Sequence, residues 1–248
     1  MKYIVNARFL TQKVTGVQRY AMSCSLALQD LLGDDVMFVA PKGKLDCNSG
    51  KLRNLVQIGI SKSHIWEQIS LPLYLRSIGN PFLFCFCGLP PILYTRSAYC
   101  IHDMAVYRYP EGFAFLFGVV YRFMTRVAVR TSTAIFCVSE FTKSEIFDIL
   151  GFNKVSVVSN TLPSAIQRLS LNEVPSLDNG VEGKYILSVG SLEPRKNLDR
   201  LIAAFLKLNK PDLRLIIIGS SGHTFKKQQH PQNKCDHISF KGYISDEA

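Results

Sequence analysis

The chain has 248 residues, of which 47% are hydrophobic, and carries a formal net charge of +10. This length and composition exclude an intrinsically disordered protein and allow one large or two modest domains. The excess of positive charge favours an anionic partner, which could be nucleic acid, a phosphorylated small molecule or an acidic membrane surface.

We expect neither a secretory signal nor a membrane-spanning helix. The first apolar run, at 3–5, is too short for a signal core, and the stretch 113–121 is followed by Arg122, Arg126 and Arg130. The seven cysteines include no CxxC pair. We therefore predict reduced thiols in the core of a cytoplasmic protein.

The first part of the chain alternates between predicted strands and predicted helices. Short apolar runs predict strands at 3–5, 36–39, 82–86, 98–101, 134–138 and 155–158. Helices are expected at 17–32, at 113–130 and from a capping-box pattern of Thr142 and Glu145 to near Gly151. This alternation predicts a mostly parallel sheet with helices on both faces.

Residues 167–183 interrupt the alternation, because they combine polar residues, Pro and Gly with few periodic apolar positions. We interpret them as a linker between two domains, at 1–166 and 184–248. After the linker, strands are expected at 185–189, 213–218 and 238–240, and a helix at 198–208. A doubly wound domain usually has about five or six strands, so the second domain is predicted to be incomplete.

Two predicted helices have a clear apolar face. In the helix at 17–32 the apolar positions are Val17, Tyr20, Ala21, Cys24, Leu28 and Leu31. In the helix at 198–208 they are Leu198, Leu201, Ile202, Phe205 and Leu208. We expect both faces to be buried, and we expect Asn197 to be the N-cap of the second helix.

The segment VGSLEPRKNL, at 189–198, places two adjacent cations between a strand and a helix N-terminus. Gly190 ends the strand, while Arg195 and Lys196 precede the helix, whose free N–H groups and dipole already favour an anion. Arg195 offers a planar fork for phosphate oxygens, and Lys196 offers a point charge. Charge alone favours a solvated basic loop. The combination of strand, glycine, loop and helix dipole favours a phosphate site instead.

Two further positions are candidates for a binding site. His102 and Asp103 follow the apolar run 98–101, at the carboxyl end of a predicted strand. His102 can hydrogen-bond a sugar hydroxyl or a phosphate oxygen, with Asp103 orienting it or binding substrate. A structural histidine beside an aspartate that caps the next helix is equally supported. Gly16, between the first strand and the first helix, allows either a close approach to a ligand or a tight turn.

Several motifs are absent or weak. The sequence contains neither G-x-G-x-x-G nor G-x-x-x-x-G-K-[ST], which counts against a dehydrogenase and a nucleoside triphosphatase. His223, His230 and His237 recur near Cys235, but their spacing matches no standard metal site, and a solvated polar loop is the better interpretation.

A stripe of arginines, Arg122, Arg126 and Arg130, occurs at helical spacing. Such a stripe is usually a solvated face, but next to Phe113, Phe115 and Phe117 it also fits contact with an anionic bilayer. Aromatic residues do not interleave with a basic patch in any recognisable nucleic-acid-binding pattern, so we expect no nucleic-acid partner.

Taken in chain order, seven segments resemble glycosyltransferase family 4. They are TGVQRYA, IHDMAVYRYPEGF, FCVSEFTKSEI, VVSNTLP, ILSVGSLEPRKNLDRLIAAF, LIIIGSSG and ISFKGYISDEA. The resemblance runs nearly the length of the chain, and its most specific part is GSLEPRKNLDRL. It implies an α/β fold of the GT-B type, with two Rossmann-like, doubly wound parallel-sheet domains, the second of which binds a nucleotide-sugar donor.

The resemblance also implies roles for the candidate residues. Arg195 and Lys196 would bind the donor diphosphate, assisted by Gly190 and Gly16. His102 would lie beside the reacting sugar, and Asp103 near the acceptor.

The implied enzyme is a retaining hexosyltransferase, for example one resembling a mannosyltransferase. Its acceptor would be lipid-linked or a saccharide, as in the synthesis of O-antigen or another cell-surface polysaccharide. Retention is generally explained in this family by same-face attack assisted by the leaving phosphate, which requires no metal ion and no cofactor. We expect such an enzyme in the cytoplasm or peripherally at the inner, anionic face of the membrane.

The sequence departs from the family at its carboxyl end. The acidic E-x7-E element, which would hold the donor sugar and ribose, is expected after Gly242 and Tyr243, and the sequence ends before it. The stretch 222–237 is polar and contains Pro231 where relatives usually have a helix. The alternative prediction is therefore an inactive, truncated remnant or a partner subunit that binds a nucleoside diphosphate weakly.

Overall fold

The computed structural model describes residues 2–45, 49–59, 64–160, 183–193, 196–219 and 236–244. The chain divides into two units, one formed by Met1–Tyr107 and Val120–Ile166 and the other by Arg108–Val119 and Gln167–Ala248. The predicted linker at 167–183 lies outside the described residues, apart from Gly183.

The first unit contains a sheet of seven parallel strands. They are β1 (Tyr3–Asn6), β2 (Val36–Pro41), β3 (Leu55–Ile58), β4 (Phe82–Cys85), β5 (Ser97–Ile101), β6 (Ala134–Cys137) and β7 (Val155–Val157). Their order across the sheet is β3-β2-β1-β4-β5-β6-β7. The apolar runs predict six of these strands correctly. Strand β3 was not predicted, because it is an edge strand that is mostly half-buried and has no continuous apolar run.

Helices connect the strands of this sheet. They are α1 (Gly16–Leu32), α2 (Leu71–Ser77), α3 (Ala105–Arg108), α4 (Phe115–Thr131) and α5 (Glu140–Leu150). A π-helical turn, Trp66–Ser70, leads directly into α2. The helical segment 64–77 was not predicted, although it has an apolar face. No helix among the described residues is long and apolar enough to cross a bilayer. Helix α4 contributes residues to both units.

Helix α5 begins earlier than predicted. Its N-cap is Ser139, whose hydroxyl accepts a hydrogen bond from Thr142 N at 3.1 Å. The capping box expected at Thr142 and Glu145 is therefore wrong, because Thr142 already lies within the first turn. The predicted end is confirmed, since Gly151 is the C-cap with a φ of 65°, a left-handed conformation that favours glycine.

The strands of the first sheet alternate between two cores, one on each face. Ile4 and Val39 belong to one core, whereas Val5 and Phe38 belong to the other. Helices α2, α4 and α5 contribute to the first core, and α1 packs against the second.

The buried face of α1 is rotated relative to the predicted one. Leu31 is 79% exposed, whereas Gln29 is buried. Gln29 binds the backbone of the following loop, because its side chain donates to Lys51 O at 3.2 Å and accepts from Arg53 N at 2.6 Å. These contacts provide the buried amide group with its hydrogen-bond partners. The spacing of apolar residues along the helix could not predict them.

The described strands of the second unit form a smaller parallel sheet in the order β10-β9-β8. They are β8 (Lys184–Val189), β9 (Leu213–Ile218) and β10 (Ile238–Gly242), and α6 (Leu198–Leu208) follows β8. Leu198, Ile202 and Phe205 of α6 pack with Leu215 and Ile217 of β9.

Two details of α6 differ from the prediction. Leu208 was expected in the buried face, but it is exposed on the last turn. Asn197 occupies the predicted N-cap position in a left-handed conformation, with no capping hydrogen bond from its side chain.

Candidate functional site

The carboxyl ends of the parallel strands meet at one edge of the larger sheet. Strand order reverses between β1 and β4, and open α/β sheets bind ligands at such a switch point. Asn6 and Cys85 end these two strands, and His102 directly follows the neighbouring β5. The predicted residues Gly16, His102 and Asp103 all lie along this edge.

His102 is held by three elements of the first unit. Its Nε2 lies 2.7 Å from Phe86 O, just after β4, and its ring meets Tyr20 of α1 edge to face at 5.1 Å. The Thr142 hydroxyl of α5 donates to the His102 carbonyl at 3.3 Å. The imidazole is therefore fixed in position and orientation.

The environment of His102 also determines its protonation. Because a carbonyl only accepts, Nε2 carries the proton and Nδ1 keeps its lone pair. Burial lowers the pKa of His102 from 6.5, against smaller opposing effects of the Phe86 carbonyl and the Asp103 carboxylate. At neutral pH the ring can thus accept a hydrogen bond at Nδ1.

Asp103 is exposed and caps the short helix α3. Its Oδ1 accepts a hydrogen bond from Ala105 N at 3.0 Å. This contact supports the capping role that the sequence left open. The side chain is exposed, which also allows a contact with substrate.

Gly16 is the first residue of α1, after the N-cap Thr15. Thr15 N and Thr15 Oγ1 both donate to Gln18 Oε1, the first at 3.1 Å, so this turn is closed by its own residues. A Cβ at Gly16 would meet no described atom within 4 Å. Packing within the described structure therefore does not require glycine here, and the close approach to a ligand stays a prediction.

A buried charge pair lies at the switch point and was missed in the sequence analysis. Arg8 Nε lies 2.8 Å from Glu67 Oε1, and both side chains are almost fully buried. Asn6 Nδ2 donates to the same oxygen at 3.1 Å, and His64 Nδ1 lies 3.0 Å from Glu67 Oε2. A Cβ at Gly88 would lie 2.9 Å from Glu67 Oε1, so glycine is required there.

One sequence signal could have revealed this pair. Glu67 precedes Leu71 by one helical turn and Leu75 by two, and both leucines are fully buried. A carboxylate in line with core positions needs a buried partner, because an isolated buried charge is strongly unfavourable. The sequence does not say that Arg8 is that partner.

The cysteines of the described residues are free thiols, mostly buried, as predicted. Desolvation raises the pKa of Cys87 and of Cys100 to about 12. Both thiols therefore stay protonated and are poor nucleophiles.

No group of three or more metal-ligating side chains occurs in the described part of the chain. His223, His230 and Cys235 of the weak histidine pattern lie outside the described residues, and only His237 lies within them.

In the second unit, the candidate loop follows β8. Glu193 is buried and accepts a hydrogen bond from the Ser191 hydroxyl. The Glu193 carbonyl accepts from Lys196 N at 3.0 Å, which fixes the backbone just before α6. Lys196 is exposed. Arg195 lies outside the described residues.

Glycines stand at the carboxyl ends of all three described strands of the smaller sheet. Gly190 N donates to Ile218 O at 2.9 Å, and Gly219 N donates to Gly242 O at 2.7 Å. A Cβ at Gly219 would lie 1.7 Å from Gly190 O, so only glycine fits there. A Cβ at Gly190 would meet no described atom within 4 Å, so packing does not require glycine at this position, and its role with a ligand stays a prediction.

Comparison with known families gives one match. Residues 172–248 match the family described as glycosyl transferases group 1. No curated protein matches the sequence significantly.

Several solved structures are similar to nearly the whole chain. HepE of Anabaena in complex with UDP-glucose has a TM-score of 0.67 and 13% identity, covering 98% of this chain and 69% of HepE. Sucrose-phosphate synthase from Thermosynechococcus elongatus has a TM-score of 0.66 and 12% identity, covering 98% of this chain and 70% of that protein. The lipopolysaccharide outer core galactosyltransferase WaaB, in its apo form, has a TM-score of 0.50 and 13% identity, covering 99% and 68%.

These similarities establish the fold. The predicted α/β class of the GT-B type is confirmed, with one parallel sheet of seven strands and a second, smaller parallel sheet. The carboxyl-terminal part of the chain carries the group 1 glycosyltransferase signature. The narrower family 4 assignment and the roles of individual residues stay predictions.

Proposed function

We propose that the protein is a retaining glycosyltransferase that transfers a hexosyl group from a nucleotide-sugar donor to a lipid-linked or polysaccharide acceptor. The observation that carries this proposal is the group 1 glycosyltransferase match over residues 172–248, which includes the segment from β8 to α6. The GT-B fold and the UDP-glucose complex of the structurally similar HepE support it.

In this proposal the donor diphosphate is bound at the start of α6. Helix α6 has 11 residues, and its first N–H groups and dipole favour an anion. Lys196 is exposed immediately before the helix, and Arg195 precedes it in the sequence. The two cations would stabilise the negative charge that develops on the diphosphate as it leaves, while Gly190 and Gly16 permit close approach of the backbone.

On the larger sheet, His102 would accept a hydrogen bond from a hydroxyl of the reacting sugar at Nδ1. Its fixed orientation and lowered pKa support an acceptor rather than an acid. Asp103 would contact the acceptor. We propose same-face attack assisted by the leaving phosphate. The step needs no protein nucleophile, in keeping with the protonated state of Cys87 and Cys100.

The diphosphate site is tested by binding of UDP and GDP, measured by calorimetry. Arg195→Ala and Lys196→Ala should each weaken binding by about 1–3 kcal/mol, because each removes a charge-assisted contact. Lys207→Ala is the matched control, since Lys207 is an exposed cation on the last turn of α6. Equal affinity in the wild type and in both loop variants would contradict the site.

Transfer is tested with UDP-glucose, UDP-galactose and GDP-mannose by following release of the nucleoside diphosphate. Release that depends on Arg195 and Lys196 would support the enzymatic function. Binding that depends on these residues without release from any donor would support the alternative, a partner subunit or inactive protein that only binds nucleotide.

A further inference from the structure

Tyr20 of α1 connects three segments at the carboxyl edge of the larger sheet. Its side chain is buried, and its hydroxyl donates a hydrogen bond to Val158 O at 3.2 Å, directly after β7. Its ring meets the ring of His102, directly after β5, with 5.1 Å between the ring centroids and 89° between the planes. Because Tyr20 lies one helical turn after Gly16, it also links this edge to the first turn of α1.

Tyr20 is held in place by contacts other than the one with His102. Its ring belongs to the core on the face of the sheet that α1 covers. Burial raises the pKa of Tyr20 far above its ordinary value of 10, so the hydroxyl stays protonated and remains a donor. Its acceptor is fixed as well, because Val158 N donates to the carbonyl of Cys137, the last residue of β6, at 2.8 Å. The tyrosine ring is thus a rigid surface that the imidazole contacts.

The contact with Tyr20 restrains His102 in a way that its other contacts do not. Thr142 binds the backbone carbonyl of His102, which does not act on the ring. Phe86 O accepts a hydrogen bond from Nε2, but a hydrogen bond tolerates some bending, and the torsion that sets the plane of a histidine ring has a broad minimum. A perpendicular aromatic ring limits this torsion, because edge-to-face contact is a favoured geometry of ring pairs.

We propose that Tyr20 is a positioning residue for His102, whose imidazole plane and Nδ1 lone pair it orients relative to the first turn of α1. The orientation matters because a hydrogen bond weakens steeply when donor and acceptor are misaligned. The inference rests on the proposed function, in which Nδ1 accepts a hydrogen bond from a hydroxyl of the reacting sugar. The alternative is that Tyr20 only fills the core, and the two roles predict different effects of its substitution on His102.

The first test is NMR spectroscopy of the full chain with isotopically labelled histidine. His102→Gln identifies the signals of His102 among those of the five histidines. In the wild type, nuclear Overhauser contacts should connect the ring protons of Tyr20 and His102. The nitrogen chemical shifts should show a proton on Nε2 and none on Nδ1 at neutral pH, and the pKa of His102 should lie below 6.5.

Three variants separate orientation of His102 from packing of the core. Tyr20→Leu removes the ring and lets water reach the imidazole, so the pKa of His102 should rise toward 6.5. Tyr20→Phe removes only the hydroxyl, so it should keep the lowered pKa and the contact between the rings. Tyr94→Leu is the matched control and should leave the pKa of His102 unchanged. Tyr94 is similarly buried and also donates to a backbone carbonyl, but it belongs to the core on the opposite face of the sheet.

Release of the nucleoside diphosphate from a nucleotide-sugar donor gives a second readout. Tyr20→Leu should lower kcat on the order of tenfold or more with little change in KM, because misorientation of a group that contacts substrate acts mainly in the transition state. Tyr20→Phe should recover most of this loss, and Tyr94→Leu should retain the wild-type kcat. Circular dichroism checks that each variant is folded. If Tyr20→Leu does not fold, Tyr20→Met, which also lacks the ring but is longer, takes its place.

Four outcomes would overturn the inference. They are absence of contacts between the two rings in the wild type, a pKa of His102 in Tyr20→Leu equal to that of the wild type, an equal rise of this pKa in Tyr94→Leu, and an unchanged kcat in Tyr20→Leu. Failure of the wild type to release nucleoside diphosphate from any donor would instead contradict the proposed function, because the NMR measurements need no sugar transfer.

Discussion

At the scale of single residues, neighbours decide what a candidate side chain can do. From the sequence, His102 could have either a structural role or a role in substrate binding. The contacts of its ring are compatible with both roles. The bond to the Phe86 carbonyl and the edge-to-face contact with Tyr20 are structural, yet they leave an oriented acceptor at Nδ1. Asp103 also has a structural contact, because one of its carboxylate oxygens caps α3. A structural contact therefore does not exclude a functional one.

The lowered pKa of His102 predicts a pH dependence of stability. The unfolded chain takes up a proton near the ordinary pKa of 6.5, whereas the folded chain does so only at lower pH. The free energy of unfolding is therefore at its full value above pH 6.5, where His102 is neutral in both states. It decreases as the pH falls toward the pKa of His102 in the folded chain. As the pH falls below 6.5, the wild type should therefore lose free energy of unfolding relative to His102→Gln, which keeps a donor for Phe86 O.

Urea unfolding of both proteins at several pH values measures this difference. A stability difference between wild type and His102→Gln that stays constant over the whole range would show that His102 does not titrate differently on folding.

At the scale of elements, the Arg8–Glu67 pair joins the turn after β1 to the helical segment before α2. The same carboxylate also accepts a hydrogen bond from Asn6 and contacts His64. These contacts hold the polypeptide at the switch point of the sheet, directly before α1 and Gly16. Their importance lies in positioning this edge, because a buried ion pair adds little net stability over apolar residues of similar size.

Breaking the pair from one side should be strongly destabilising. Glu67→Gln leaves the buried Arg8 guanidinium without a counter-charge, and we expect a loss of about 3–5 kcal/mol in the free energy of unfolding. The double variant Arg8→Met/Glu67→Leu removes both charges and should be less destabilised than the two single variants added together. Urea unfolding of the wild type, Arg8→Met, Glu67→Leu and the double variant gives the coupling energy, and strictly additive losses would contradict a direct interaction.

At the scale of the whole molecule, the sequence is sufficient to predict the architecture. It is insufficient to predict contacts between side chains that are distant in the sequence. Continuous apolar runs predict six of the seven strands of the larger sheet, because central parallel strands are buried on both faces. The spacing of apolar residues does not predict the burial of a polar side chain whose partner is distant in sequence. The partner of Gln29 is backbone of a later loop, and the partner of Glu67 is the charge of Arg8. The cap at Ser139 was missed because Thr142 and Glu145 form an equally good local pattern. The predicted glycines and cations mark the loops, whereas their roles with a ligand stay predictions.

The two units should differ in local stability, because their sheets are covered differently. Strands β1 and β5 have buried side chains on both faces, whereas β8 exposes Tyr185, Leu187 and Val189 along one face. Since exposed, sparsely packed strands open more readily, we expect faster amide hydrogen exchange in β8 than in β1 and β5.

A core substitution in the smaller sheet tests whether that opening is local. Leu215 is fully buried in a cluster formed by β9 and α6, so Leu215→Ala should cost about 2–5 kcal/mol within this unit. Exchange measured by mass spectrometry should then accelerate in β8, β9 and β10 and stay unchanged in β1, β4 and β5. Leu187→Thr, at an exposed position of the neighbouring strand, is the control and should change exchange little. Equal acceleration in both sheets would mean that the two units unfold as one cooperative structure, and the predicted difference in local stability would be wrong.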